Sequence, residues 1–292
     1  MGALMPIKNV NISHRVINAH GAIFHELIDL IIDCLKGGGI QVAHTTNRVI
    51  PDLLNVIIGS TIFLPSETLT KIRNLSPSYI VFQLEALNNE RGHASKYPAY
   101  IDLLRGAKQI WDYSLQNVRY LAQLGLTNVR YIPIGYSRCL ERINDVAEHD
   151  IDILFYGSTS TRRNKIMEEL NFRGFKAVFL FGEYGPVRDA HIARAKLVLN
   201  MHCLETTHLE QVRLSYLLNN KRFIVSETSD ENPYGDGVVF CDYQDIVTCC
   251  TQYLKREMEL ERIRVAKLGY DRLQQIPMAS SIINALAELA PN

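Results

Sequence analysis

An α/β protein of two Rossmann-like, doubly wound domains facing a cleft is the fold the sequence predicts, on three observations. The 292 residues exceed what one compact α/β domain needs and suit two domains of about 140 residues each. Short β-branched runs alternate with longer helical patterns, the signature of parallel sheets covered on both faces. The alternation fails once, in the polar stretch Ser137 to Asp150, and then restarts. The expected division is 1–145 for the first domain, 146–275 for the second, and 276–292 for a C-terminal helix returning to the first.

In the first half, "FHELIDLIIDCL" reads as an amphipathic helix, because its apolar positions recur at helical spacing between His25, Glu26, Asp29 and Asp33. The strand and helix pairs that follow are "IQVAH", "NVIIGS" with "LPSETLTKIRNL", "YIVFQLE" with "YPAYIDLLRGA", and "QIWDYS" with "LQNVRYLAQLG". "VRYIPIGY" closes the half. In the second half the pairs are "ILFYG" with "RRNKIMEELNFRG", "KAVFLFG" with "PVRDAHIARA", and "KLVLNMH" with "LEQVRLSYLLNN". The strands "RFIVSE" and "GVVFCD" follow. A long helix is expected from Leu254 to Gln275. The break at Pro277 then redirects the chain into "SSIINALAEL".

The 31 Lys and Arg balance the 31 Asp and Glu, which argues against broad nucleic-acid binding. The six cysteines form no C-x-x-C pair, so they read as reduced thiols of a cytoplasmic protein. No apolar run approaches the roughly 20 residues of a spanning helix, so no transmembrane segment is expected.

In open parallel sheets ligands sit beyond the carboxyl ends of strands, so the residues closing each apolar run carry the chemistry. After "ILFY" come Gly157 and Ser158, then Arg162, Arg163 and Lys165 at the start of a helix. Glycine lets the backbone approach an anion, the helix N-terminus attracts it, and guanidinium forks match phosphate oxygens in pairs. The alternative is a plain turn with solvated arginines. The spacing matches neither G-x-G-x-x-G nor a Walker loop, which disfavours a nicotinamide cofactor or ATP. Further on, a buried strand closes at Asn200 and His202, and a helix carries Glu210 and Arg213 one turn apart. Glu210 suits ribose hydroxyls, or simply complements the helix dipole.

Together, "FYGS-x-S-x-RR", "LN-x-H", "LE-x-VR-x-x-YLL", "VSE" and "F-x-D-Y-x-D" resemble the donor domain of group-1-type glycosyltransferases of the GT-B fold, near the spore-maturation glycosyltransferase-like proteins. The resemblance covers roughly Ile151 to Gln275, and the first half resembles the acceptor domain more faintly. It implies transfer of a sugar from a nucleotide-diphosphate sugar to a glycan or other hydroxyl acceptor, with no metal or further cofactor. Arg162, Arg163 and Lys165 would face the diphosphate and Glu210 the ribose. The Glu-x7-Glu pair of the retaining members is absent at His208 and Tyr216. Where that family has a glycine before "VSE", this chain has "NNKR", so Asn219 or Asn220 is expected to take the positive φ at the helix end. A nucleotide-sugar epimerase of the same fold, and a non-catalytic nucleotide-sugar-binding module, are the alternatives.

An inverting transfer needs a base for the acceptor proton. Glu85, Asp112 and His20 are the candidates, with competing roles as a loop charge, a helix N-cap and a capping histidine. His14, His25, His44, His93, His191 and His208 show no ligand spacing, and no metal site is expected.

Overall fold

The computed structural model describes residues 7–16, 21–59, 61–87, 97–205 and 208–289. The chain divides into two compact units, Met1–Ile134 with Pro277–Asn292, and Gly135–Ile276.

The first unit holds a parallel sheet of β1 (Asn9–Arg15), β2 (Gln41–Thr46), β3 (Leu54–Gly59), β4 (Tyr79–Gln83), β5 (Gln109–Asp112) and β6 (Val129–Tyr131). Their order is β2-β1-β3-β4-β5-β6. Strand β1 is missing from the sequence reading. Its polar positions disguise it: Asn11 and Ser13 are fully buried, with the Asn11 amide donating to Thr45 Oγ1 and Asn55 Oδ1, and the Ser13 hydroxyl to Arg48 O. Burial on both faces normally favours apolar runs, and here hydrogen bonds replace them.

Helices α1 (His25–Gly37), α2 (Ser66–Leu75), α3 (Pro98–Gly106) and α4 (Leu115–Gln123) connect these strands. Leu27, Ile28, Ile31 and Leu35 of α1 are buried at helical spacing, as its pattern predicts. Ser114 caps α4 by accepting from Asn117 N–H, so the cap role considered for Asp112 belongs to its neighbour two residues on.

The second unit holds β7 (Ile151–Tyr156), β8 (Ala177–Leu180), β9 (Ala195–Asn200), β10 (Ile224–Glu227) and β11 (Val239–Cys241), all parallel, in the order β11-β10-β9-β7-β8. Its helices are α5 (Thr161–Phe172), α6 (Gly185–Arg194), α7 (Gln211–Asn219), α8 (Ile246–Tyr253) and α9 (Glu259–Gln274). Strand order reverses between β1 and β3 in one sheet and between β7 and β9 in the other. In this topology those switch points open a crevice at the carboxyl ends.

The end of α7 departs from expectation. Asn220 takes φ −103° and Lys221 takes the left-handed φ of +52°. The two asparagines bind backbone instead: Asn219 Oδ1 accepts from Ser137 N–H, and Asn220 Oδ1 from Arg142 and Ile143 N–H. The polar stretch after Gly135 is thus held against its own unit.

The expected helix from Leu254 to Gln275 begins later, at Glu259, and packs against α7 within the second unit. After Pro277, α10 (Met278–Ala287) packs on α1 in the first unit. There Gln109 Nε2 donates to Ala285 O at 2.7 Å, and Ile282 is fully buried. Ile282→Ala should destabilise the first unit by about 2–5 kcal/mol through the cavity it leaves. Faster hydrogen exchange in β4 and β5 would report it, and unchanged exchange would contradict it.

Candidate functional site

The carboxyl ends of β7, β9 and β10 gather most of the predicted donor-side residues at the switch point of the second sheet. Gly157 ends β7 with φ +146°, and a Cβ there would lie 2.8 Å from Arg213 Nη2. Only glycine allows that backbone conformation and that close approach. Arg213 Nη1 donates to Asn200 Oδ1 at 2.6 Å, and the Asn200 amide donates to Ser226 Oγ and Glu210 Oε2. Glu210 sits at the N-cap position of α7. His202 Nδ1 lies 3.0 Å from Glu210 Oε2, and its Nε2 lies 3.0 Å from Thr228 O.

Both partners of the His202 ring are acceptors, so it satisfies both only when protonated. Burial alone would lower its pKa, but the Glu210 bond and charge outweigh that and raise it above 6.5. Burial would likewise raise Glu210. The bond to His202, with the charges of His202, Arg213 and Arg163, instead holds its carboxyl down to about 2. The linkage signs follow. The raised His202 pKa stabilises the fold fully below its ordinary 6.5, and this is lost as pH rises through the folded value. The depressed Glu210 pKa stabilises fully above its ordinary 4.5, and this is lost as pH falls through about 2. The second unit should therefore lose stability as pH rises past 6.5. An NMR titration of His202 checks this, and a midpoint below 6.5 would refute it.

The arginine corner differs from a display of two free forks. Arg162 donates to both Glu227 oxygens at 2.7 and 2.6 Å and to His202 O, and it stacks 4.1 Å over the Tyr243 ring. Arg163 has a side chain only 2 % exposed. It donates to Met201 O, Ser158 O and Ser158 Oγ, and burial pushes its guanidinium down to about 10. Arg163, expected at the diphosphate, is here a buried strut between the ends of β7 and β9. Ser160 caps α5 through Arg163 N–H, and Lys165 is exposed farther along the helix. Glu210 keeps 24 % of its side chain open beside Arg163, at 3.6 Å.

In the first unit, Glu85 follows β4. Its backbone is clamped: Gln83 Oε1 accepts its N–H, while Gln83 Nε2 and Asn117 Nδ2 donate to its carbonyl. Among the described residues its carboxylate has no hydrogen-bond partner, and burial pushes its pKa up to about 7. Asp112 is fully buried and accepts from Gln83 Nε2, Ser114 N–H and Asn117 Nδ2. It thus anchors the two amides that hold the Glu85 backbone. His20 and His93 lie outside the described residues.

Some arrangements escaped the sequence reading. His14, at the end of β1, lies 5.5 Å from the His25 ring and 6.2 Å from the His44 ring. Burial and those two neighbours lower its pKa to about 4. Sequence spacing hides the trio because its members come from β1, β2 and α1. The triplet Asp150-Ile151-Asp152 has the D-x-D form of metal-binding glycosyltransferases. Here Asp150 pairs with Lys176 and Arg194 and Asp152 with Lys196, at the amino end of β7. Among the described residues no group of three or more His, Cys, Asp or Glu side chains is placed to hold a metal ion. No helix is long and apolar enough to cross a membrane among them either.

No family model matches the chain. The uncharacterized proteins L138 and L137 of Acanthamoeba polyphaga mimivirus are 31% identical over 169 residues and 27% identical over 187 residues. The matches span 53% and 60% of this chain, and only 19% and 25% of those proteins. Among solved structures, Anabaena HepE in complex with UDP and glucose superposes with a TM-score of 0.62 at 11% identity, over 97% of this chain and 99% of that one. OtsA gives 0.62 at 9% identity over 98% and 99%. An alpha-glucosyltransferase in complex with UDP and a mismatched DNA gives 0.57 at 10% over 93% and 96%. At such identities the likeness is one of fold, and the fold of this chain is that of the GT-B glycosyltransferases.

Proposed function

We propose that the protein is a glycosyltransferase that moves a sugar from a nucleotide-diphosphate sugar to the hydroxyl of a glycan or similar acceptor, without a metal ion. One observation carries the reading. At the switch point of the second sheet, Glu210 is held ionised by His202, Asn200 and two arginines and still keeps an open edge. A carboxylate so fixed accepts hydrogen bonds from a vicinal diol such as ribose, and two of the structural relatives hold UDP. The N-terminus of α5, Arg162 and Lys165 would face the diphosphate, with Gly157 and Ser158 letting it approach the backbone. Helix dipole and cations would then stabilise the leaving diphosphate, the work a divalent ion does elsewhere. Turnover should accordingly survive excess EDTA, and loss restored by Mg²⁺ or Mn²⁺ would overturn that part.

In an inverting transfer the acceptor oxygen attacks the anomeric carbon, the bond to the diphosphate breaks, and a base takes the acceptor proton. We assign the base to Glu85, with Asp112 positioning it through Gln83 and Asn117. Thermal shifts against UDP, GDP, TDP and CMP sugars test the reading. A ligand at 100 times its Kd adds about 2.7 kcal/mol of stability. One nucleoside diphosphate should stabilise the second unit and its sugar should be slowly hydrolysed; no shift with any of them would overturn the assignment.

A further inference from the structure

The amino ends of β9 and β10, at the opposite end of these strands from Asn200 and Glu210, border a cavity of about 700 Å³. That is the size of a small-molecule site, about 300–1,000 Å³. Its buried lining sets Arg222 among the apolar Ala195, Phe223 and Ala266. Ile263 of α9 also lines it while staying 60 % exposed.

The charges around it are unevenly matched. Five Lys and Arg side chains line it against three Asp and Glu. Lys196 is paired with Asp152, and Lys267 with Asp271. Lys221 and Arg262 have no carboxylate within ion-pair distance among the described residues: Lys221 Nζ lies 4.6 Å from the Tyr270 ring centroid, and Arg262 donates to the carbonyls of Tyr253 and Lys255. Arg222 has a side chain 9 % exposed and uses Nη2 on Ile143 O and Asp145, while its buried Nε has no acceptor. A buried guanidinium N–H without a partner is uncommon and costly, so it marks a place where an acceptor belongs. Lys221 adds a second irregularity. It holds φ +52° where glycine or asparagine would relax, and backbone strain of this kind gathers at binding sites.

We propose that this cavity is a second binding site, for a phosphate monoester or similar dianion carried on an apolar, ring-sized body. Arg222 Nε, Lys221 and Arg262 take the oxyanion, and Phe223, Ala266 and Ile263 take the body. Lys221 and Arg262, with no carboxylate within ion-pair distance among the described residues, favour a doubly charged head group, and the apolar lining rewards a body that inorganic phosphate lacks.

Calorimetric titration of the whole chain with phenyl phosphate tests this, with inorganic phosphate as the control. The parent should bind phenyl phosphate at least about tenfold more tightly than inorganic phosphate. Ile263→Glu places a negative charge on an exposed position of the lining, and Lys221→Gly removes a cation while relaxing the backbone, so both variants should fold. Each should weaken phenyl phosphate binding about tenfold, and UDP should not compete. Equal binding by parent and both variants, displacement of phenyl phosphate by UDP, or no saturable binding would each overturn the site.

Discussion

Glu85→Gln is expected to slow sugar transfer by about 10²–10⁴ while leaving nucleoside-diphosphate affinity unchanged. The magnitude is that of a lost general base, and the selectivity follows from placement, because Glu85 belongs to the first unit and the candidate nucleotide residues to the second. Burial pushes its carboxyl up to about 7 with no hydrogen bond to oppose it among the described residues. A base at that value is half-ionised near neutrality and still strong enough to take a proton. The parent should therefore show a rising limb in kcat/KM with a midpoint near 7, which the variant lacks.

A stability readout separates this from simple damage. With its folded pKa raised from 4.5 to about 7, Glu85 makes the fold less stable as pH rises across that window, since the native state binds the extra proton. The glutamine variant should thus be at least as stable as the parent at pH 8. Asp112→Asn should behave oppositely. An amide at that fully buried position offers N–H to the Ser114 N–H or to the side-chain amides of Gln83 and Asn117, so stability falls and turnover falls with it. Near-normal turnover in Glu85→Gln sinks the assignment, and a product with retained anomeric configuration removes the need for such a base.

The two sheets were legible because apolar runs such as "YIVFQ" and "ILFY" admit little else between turn residues, and the corner between β7 and α5 was legible because Gly157, Ser160 and the arginines fall in strand-to-helix order. What stayed hidden lies in polar residues with internal partners. Strand β1 escaped because Asn11 and Ser13 look solvent-facing until Thr45, Asn55 and Arg48, dozens of residues away, supply their bonds. With β1 unseen, its carboxyl end and the His14 trio there could not be marked as a switch-point feature. The left-handed residue after α7 was placed on the asparagines because they tolerate it best. Their amides instead bind the Ser137–Ile143 backbone, leaving Lys221 the strained position. In each case the deciding partner is remote in sequence, which local propensity cannot register.

The adjacent arginines read alike in sequence and should part company in experiment. Arg163→Ala should lower the stability of the second unit by about 3–5 kcal/mol, because it removes one partner from a buried polar network. Met201 O and Ser158 O lose their charge-assisted donors, and Glu210 loses a countercharge that helps hold its carboxyl near 2. At about 2–4 °C per kcal/mol, a drop of roughly 10 °C in unfolding temperature is expected. Arg162→Ala acts elsewhere. Its guanidinium is exposed enough to meet a ligand, at 16 % of the side chain, and its fork is held by Glu227 alone among carboxylates within ion-pair distance in the described residues. A diphosphate arriving at the α5 N-terminus competes with Glu227 for that fork, and charge-assisted bonds to phosphate contribute roughly 1.5–3 kcal/mol each. Arg162→Ala should therefore weaken nucleoside-diphosphate binding by about tenfold or more. Its stability loss should stay below that of Arg163→Ala, because Glu227 still accepts from His202 N–H. Glu227→Gln supplies the opposing arm: with the competing carboxylate neutralised, the fork is freer and nucleoside-diphosphate affinity should rise. If Arg162→Ala binds UDP and GDP as the parent does, and Glu227→Gln binds them no better, the pair is purely architectural and the corner between Gly157 and Thr161 is a turn.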